Sequence, residues 1–531
     1  MRRWVIGCGV AAALAAAGAG GYLYIERRVE ASAQQVLLRT FAPEGAKYSS
    51  LHYSLLDDRL EIESLAVEAP LAPLKPMHAA RVSVLGIDPL GLRAVLAGTG
   101  APQTLIYTGL VVESARGERA EAELLQISGI DFRRIPAAAS DWRTIAVIDE
   151  KPASLMLTGL KFTAPDGDAA IERVVVAEIA LPSPLRLDSH PSPDEIRVLL
   201  AGMTLRRAEI QGLDVRARSG ERVQVKLRLA SIRDVAPGRV GSIAIKGLDV
   251  ESEKAAMSLR SVAVADIAYR PRSEAVRAKL SARNAPFPAW LPGDIRVGHF
   301  DLTGFRLGVA DQVGITLAGI HASVTGTPAI ATAGEARIER LAFDLSKLPP
   351  TPAFDPGRDG FEQLTLDVDA RSTYDPERKV LEIPRYAIEL EDRGVLTLSF
   401  ALGEYVVDEG SDDPDVARER LMAATVRRAE LSYEDRSLFN SLLRLSARRG
   451  NSEPEAVRAG VIDAIEKLKL KAPGDADWGA MLDAAEGFVK EPKSLTLTAV
   501  PPKPLTVQGL VLAAILGDAV ALRKALGATA R

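Results

Sequence analysis

Residues 208–229 read AEIQGLDVRARSGERVQVKLRL. In the second half, Val223, Val225, Leu227 and Leu229 alternate with Gln224, Lys226 and Arg228. Successive side chains of a strand point to opposite faces, so this period of two predicts a sheet with one apolar and one wet face. Ser219-Gly220 separates the two runs as a hairpin turn would. Antiparallel hairpins and meanders produce such alternation, whereas buried parallel sheets give unbroken apolar runs.

The same signature recurs along the chain. Leu364, Leu366 and Val368 alternate with Thr365, Asp367 and Asp369; Leu396, Leu398 and Phe400 alternate with Thr397 and Ser399. A local unit, an alternating approach followed by Gly and an apolar residue, appears at Gly109, Gly129, Gly159, Gly212, Gly247 and Gly304. Glycine inside a strand marks a bulge or bend. The spacing between units is irregular, which excludes a fixed-period solenoid.

These patterns predict a mainly β fold with a helical C-terminal region. Residues 1–45 form an N-terminal transmembrane helix and linker helix. Residues 46–410 form an elongated, curved antiparallel sheet, arranged as a groove or as a sandwich. Residues 411–531 are mostly helical with one strand. Leaving one Leu or Val side chain in water forgoes ~1.5–3 kcal/mol. On the order of twenty strands with two inward residues each would forgo more than the ~5–15 kcal/mol net stability of a domain. The apolar face therefore needs a cover: a second layer of the protein itself, helices, or a guest such as acyl chains in a groove.

Residues 4–25, WVIGCGVAAALAAAGAGGYLYI, carry no charge. As a helix, twenty-two residues reach roughly 33 Å, enough for the ~30 Å hydrocarbon layer. Trp4, Tyr22 and Tyr24 suit interfacial belts, and Arg2 and Arg3 place the N-terminus on the cytosolic side, although Arg27 and Arg28 follow the run. The alternative is a cleaved secretory signal, with Ala15 to Ala19 as the small-residue stretch. Either way the body is exported, and the expected location is the inner membrane, single-pass, with the body in the periplasm. Cys8 is the single cysteine, so the body has no disulfides. Formal charge is −4 with both signs interspersed, and without a basic block nucleic acid is excluded as a partner.

After this run, KYSSLHYSLLDDRLEIESLAVEAP (47–70) resembles the AsmA-like envelope proteins. Leu51 to Leu55 fill the place of that family's first short strand, Leu56-Asp57-Asp58-Arg59 its polar turn, and Leu60 to Val67 its next strand. The resemblance implies a bridge-like lipid carrier: a curved sheet lined by apolar side chains, serving outer-membrane lipid supply or assembly. It brings no catalytic residues. The helical tail and the short β section depart from the longest members.

In the tail, Asp413-Pro414 reads as an N-cap with Pro at the first helical position. A helix over 437–449 places Leu438, Leu442 and Leu445 on one face, with Gly450 as its stop. Ser452 to Glu455 reads as a capping box, followed by a stripe of Val461, Ile462, Ile465 and Leu468. Asp477 starts a further helix with Met481, Leu482, Ala485 and Phe488 apolar, and a strand is expected over 494–500. The last helix, near 508–526, has eight consecutive uncharged residues, Gly509 to Leu516, too few to span a bilayer. It covers the end of the sheet, or it docks a partner or a membrane surface.

No catalytic constellation is visible. His52, His78, His190, His299 and His321 show no metal-ligand spacing, and no G-x-S-x-G elbow is present. No enzyme activity, cofactor or metal is expected. The leading reading is an anchored envelope protein that binds or transfers phospholipid, its groove lined by Val223, Val225, Leu227, Leu229, Leu364, Leu366, Val368, Leu396, Leu398 and Phe400. The alternative is a scaffold with a closed β body whose tail docks other envelope proteins.

Overall fold

The computed structural model describes residues 46–67 except 55 and 58, 77–85, 103–113, 118–138, 141–148, 153–182, 185–186, 202–218, 222–271, 293–309, 314–326, 330–346, 360–407, 414–470, 472, 474–515 and 519–531, with Arg27, Glu30, Ala31 and Gly357. The apolar run at 4–25, and with it the expected anchor, lies outside the described residues. Among the described residues no helix is long and apolar enough to cross a membrane. The protein is mainly β, with helices near its C-terminus, and divides into two units, Met1–Glu253 and Lys254–Arg531.

In the first unit β1 (Ala46–Lys47) and β2 (Ser50–Ser54) both pair with β3 (Arg59–Val67). The antiparallel ladder continues through β4 (Met77–Leu85), β5 (Gln103–Glu113) and β6 (Arg119–Ala138). The far half of β6 pairs with β7 (Asp141–Ile148) and the near half with β8 (Ala153–Ala164). After β9 (Gly167–Ala180), the short β10 (Leu185–Arg186) returns to β7; β11 (Thr204–Ala217), β12 (Val223–Ala236) and β13 (Arg239–Ser252) extend the main ladder from β9.

The second unit is also an antiparallel meander. It runs β14 (Ala255–Pro271), β15 (Gly293–Val309), β16 (Gly314–Gly326), β17 (Ala331–Asp344), β18 (Gln363–Asp375), β19 (Val380–Leu390) and β20 (Gly394–Gly403). Next come α1 (Pro414–Ala423), β21 (Thr425–Asp435), α2 (Leu438–Arg449), α3 (Pro454–Lys469), α4 (Ala476–Lys490) and β22 (Ser494–Ala499). β23 (Leu505–Thr506), α5 (Val507–Ile515), α6 (Ala519–Leu526) and β24 (Ala528–Ala530) complete the chain, with β23 paired to β21 and β24 to β22.

The repeat glycines are set in register. In the first unit Ser64, Gly109, Gly159, Gly212 and Gly247 all have φ between 52° and 63° and occur on every second strand of the ladder, β3, β5, β8, β11 and β13. The intervening strands place Ala80, Glu123, Glu172 and Arg228 beside them, each packed where a glycine Cβ would stand. The result is a seam that crosses the ladder. The irregular sequence spacing of the units reflects connections of different length; the ladder register itself is regular. A second seam contains Glu178 and Asp234, both at φ 53°, and lies six residues from the first on each strand: Glu172 to Glu178 on β9, Arg228 to Asp234 on β12. Gly129 has a different task. It sits where β6 leaves its ladder with β5 and β8 and begins pairing with β7.

The tail differs from expectation in four places. β21, β23 and β24 are strands in a region where one strand was expected. In β21 the apolar positions are Val426, Ala429, Leu431 and Tyr433, and a bulge between Ala401 and Leu402 of β20 accommodates the three-residue step that hides their alternation. The face of α2 that is buried contains Ser441, Leu443 and Ala447, while Leu442 is 46% exposed. Ser441 is fully buried, and its hydroxyl accepts from Arg393 Nη1 at 3.1 Å. No capping box forms at α3: Ser452 Oγ instead donates to Ala447 O at the end of α2, and Glu453 is the N-cap. The expected last helix is two helices, α5 and α6. The stripe on α3 and the apolar positions of α4 do pack together, with Ile465, Trp478, Leu482 and Val489 buried.

Candidate functional site

Following the ladder registers strand by strand shows continuous apolar rows. In the first unit one row runs Ile62, Val82, Tyr107, Leu125, Leu157, Val174, Ile210, Ala230, Ile245 across nine strands. On the other side of the first seam, Leu160, Ile171, Leu213, Leu227 and Leu248 form another, as do Phe162, Ala169, Val215, Val225 and Val250. Within a panel the apolar rows step by two residues, and across the seam they step by three. A one-residue slip turns a strand's side chains to the other face. The left-handed residue on alternate strands absorbs that slip, so the rows on both sides of the seam share one face. Direct packing supports this: Ile62 and Leu65 flank Ser64 and belong to one buried cluster with Val82 and Ala79. The intervening row, Lys161, Ala170, Asp214, Lys226, Asp249, is polar apart from one alanine.

The second unit repeats this. One row runs Val262, Leu302, Ile320, Ile338, Val368, Ile388, Leu396, Tyr433, Leu495, and the next Val264, Phe300, Ala322, Ala336, Ala370, Tyr386, Leu398, Leu431, Leu497, Ala530. Beyond Gly304 and Arg340, both left-handed, lies Met257, Leu307, Ile315, Phe343, Leu364.

Eight of the ten residues singled out in the sequence fall in apolar rows; Val223, at the start of β12, stands opposite Ser252. Leu366 joins a row opposite Leu341 and Leu390, and Phe400 opposite Ile383 and Ala429. Leu229 does not: it lies in register with Thr158, Arg173, Gln211 and Lys246, because simple alternation ends at the seam residue Arg228. None of the ten is buried, and Leu396 is 37% exposed. Sequence reasoning missed the aromatic members Tyr107, Tyr386 and Tyr433. For Tyr107 the signal was the three-residue step over Gly109; Tyr386 follows a register shift after Ile383 that no glycine marks.

The apolar rows are covered only at places. In the first unit Leu60, Ile62, Leu65, Ala79 and Val82 are buried at β3 and β4, and burial raises the Tyr107 hydroxyl pKa above its usual value. From β8 to β13 the rows are half-exposed, with Phe162 at 40% and Ile243 at 36%. In the second unit seven strands, β14 to β20, span about 29 Å, and seven residues along each about 23 Å. That is a sheet face on the order of 650 Å², and most of its row members are half-buried. At the far end the helices arrive: Phe488 of α4 packs edge-on against Tyr433 and Phe439, with ring centroids 5.7 and 5.3 Å apart.

The opposite face of the second unit is charged. Asp301 accepts from His321 Nδ1 at 2.6 Å and also pairs with His299. His321 leads the contributions that hold the Asp301 carboxyl below its ordinary range; burial works against them and His299 adds to them. Arg337 and Arg385 lie 4.0 and 3.4 Å from Asp369 in a cleft of about 400 Å³, and Arg371 approaches Asp369 at 3.6 Å. These are ion-pair networks, and Arg337 also pairs with Glu339 at 3.4 Å. Among the described residues no group of three or more His, Cys, Asp or Glu is placed to hold a metal ion.

A family model described only as an uncharacterized protein matches residues 387–531, the stretch from β19 to the C-terminus. No curated protein matches the chain. No solved structure matches it.

Proposed function

We propose that this protein is an inner-membrane-anchored, periplasmic envelope protein that holds the acyl chains of lipids on its apolar rows and so takes part in lipid transfer or envelope maintenance. The carrying observation is the row pattern: aliphatic and aromatic side chains continue in register across the ladder of each unit and, from β8 to β13 and from β14 to β20, remain only partly covered. Water at such a surface is costly, at about 25 cal/mol per Å² of apolar area. Acyl chains offset that cost without needing directional bonds. Each seam bends the sheet, as left-handed bulge residues do, and turns a flat face into a groove. The protein acts by binding and shielding, with no catalytic step. The uncharged run 4–25 would supply the anchor, and the resemblance of residues 47–70 to AsmA-like proteins supports the same reading.

Native mass spectrometry of the full chain, gently extracted in detergent, tests it. Phospholipid adducts are expected, and Leu227→Glu combined with Leu366→Glu should remove most of them. Leu229→Glu, outside the rows, should leave them. A chain free of lipid under gentle extraction overturns the proposal. A second reading, a tail that docks an envelope protein, is favoured by the outer side of α5, where Val511, Leu512 and Ile515 are 42, 57 and 75% exposed. Loss of a co-purifying envelope protein from an Ile515→Asp variant would support that reading.

A further inference from the structure

We infer that the aromatic group Tyr433, Phe439 and Phe488 is the closed end of the acyl-binding face in the second unit, so that acyl chains lie along β14 to β20 and stop at Leu396 and Leu431. This rests on the lipid-binding reading above and adds the limit of the site. Three observations carry it. First, the two long apolar rows do not end chemically at β20. They continue through Tyr433 to Leu495 and through Leu431 to Leu497, so sequence alone would extend the site to the last strands. Second, the first row passes under a helix at this point. Leu396 is 37% exposed, and Tyr433, its neighbour in the row, packs against Phe488 with ring centroids 5.7 Å apart. Third, the helices that bring the cover are fastened to the sheet at the same place. One Asp435 oxygen accepts from the Tyr433 hydroxyl at 2.7 Å and from Phe439 N at 2.8 Å, tying the tyrosine ring to the first turn of α2. The Arg393 carbonyl, in the β19–β20 turn, accepts from the backbone N–H groups of Arg436, Ser437 and Leu438 at 2.9–3.1 Å. The ring of Phe488 then closes over Tyr433 from a helix whose own core holds Trp478, Leu482 and Val489. A methylene chain sliding along the rows meets the edge of these rings instead of another aliphatic position.

Photolabelling with the full chain tests this. Vesicles of phosphatidylethanolamine and phosphatidylglycerol containing a diazirine-bearing acyl chain are incubated with the protein, irradiated, and the labelled peptides identified by mass spectrometry. Labels are expected on β14 to β20 and at Leu431, with Leu495 and Leu497 unlabelled. The double variant Phe439→Ala, Phe488→Ala should extend labelling to Leu495 and Leu497, while Phe488→Leu, which keeps the space filled, should preserve the boundary. Equal labelling of Leu495 and Leu497 in the unaltered chain overturns the stop and leaves lipid binding standing. So does an unchanged boundary in a double variant that retains wild-type hydrogen-exchange protection in α3 and α4. Absence of label from every apolar row overturns the lipid-binding reading itself.

Discussion

Arg260 on β14 lies across the ladder from Gly304 on β15, and its Cβ stands 2.8 Å from where a Cβ on Gly304 would fall. Gly304 also has φ +64°, a conformation that costs an L-residue ~1–2 kcal/mol. Gly304→Ala should therefore lose about 1–3 kcal/mol, since strain and overlap both apply. Gly308, four residues along the same strand, has nothing within 4 Å of its notional Cβ and no left-handed φ. Gly308→Ala should change stability by no more than about 0.5–1 kcal/mol, and in the favourable direction. Denaturant unfolding of both variants separates a seam requirement from a general intolerance of side chains on β15.

Asp266 presents the converse case. It is left-handed at φ 53° on β14, opposite Gly298, where an added Cβ would come 2.7 Å from the Asp266 Cβ. Asp and Asn tolerate this region better than other L-residues do, which is why an aspartate can stand there. Asp266→Val should cost roughly 1–2 kcal/mol, and Asp266→Gly should stabilise by up to about 1 kcal/mol. Thermal melts of the two variants should move in opposite directions. Equal losses in both would remove the backbone explanation.

How much of this was legible in the sequence depends on the distance from a seam. Far from one, as at Val225 and Leu227, alternation reads directly as rows. Beside one, Leu229 looks like the next inward residue and is not, because the ladder changes phase at Arg228 between Gly212 and Gly247. The glycine units were visible, yet their alignment was not, since connections of unequal length separate them. Ser64, Glu178, Asp234, Asp266 and Arg340 carry the same backbone conformation without glycine and leave no sequence signal. The tail shows the same limit. Leu442 suited an apolar stripe, but the buried side of α2 contains Ser441, Leu443 and Ala447, and Ser441 bonds to Arg393, 48 residues away in sequence.

Glu30 connects the stretch after the apolar run to the first unit. One of its oxygens, Oε1, accepts from Tyr53 N and hydrogen-bonds to His52 Nδ1, both at 3.0 Å, and Tyr53 is fully buried. Glu30→Ala removes this hydrogen bond to the Tyr53 amide, an expected loss of ~0.5–1.5 kcal/mol. Hydrogen exchange should show the effect first at Tyr53 and its neighbours on β2, with β14 to β20 unchanged. Exchange at Tyr53 equal to wild type would mean that the contact does not hold the edge strand.

The helical layer should respond to acid through Glu486. Its carboxylate on α4 bridges Lys469 of α3 and Lys490, and these bonds, Lys469 first, hold its pKa at about 2, below an ordinary value of 4.5. A carboxyl whose folded value is depressed stabilises the fold fully above its unfolded value and loses that contribution as pH falls through the folded one. The window therefore opens near pH 4.5 and closes near 2. Lys469 also binds Asp483 at 2.8 Å and Glu466 at 3.1 Å, so protonating Glu486 removes one of three anions from a single ammonium. Hydrogen exchange of α3 and α4 in the full chain should show protection falling across this window. Glu486→Gln should lower protection at neutral pH and flatten the acid response, because the titrating group has gone. An acid profile in Glu486→Gln that matches the unaltered chain would assign the transition to other carboxyls. If α3 and α4 loosen in the window, the aromatic contact between Phe488 and Tyr433 should loosen with them, because Phe488 lies two residues from Glu486 on the same helix.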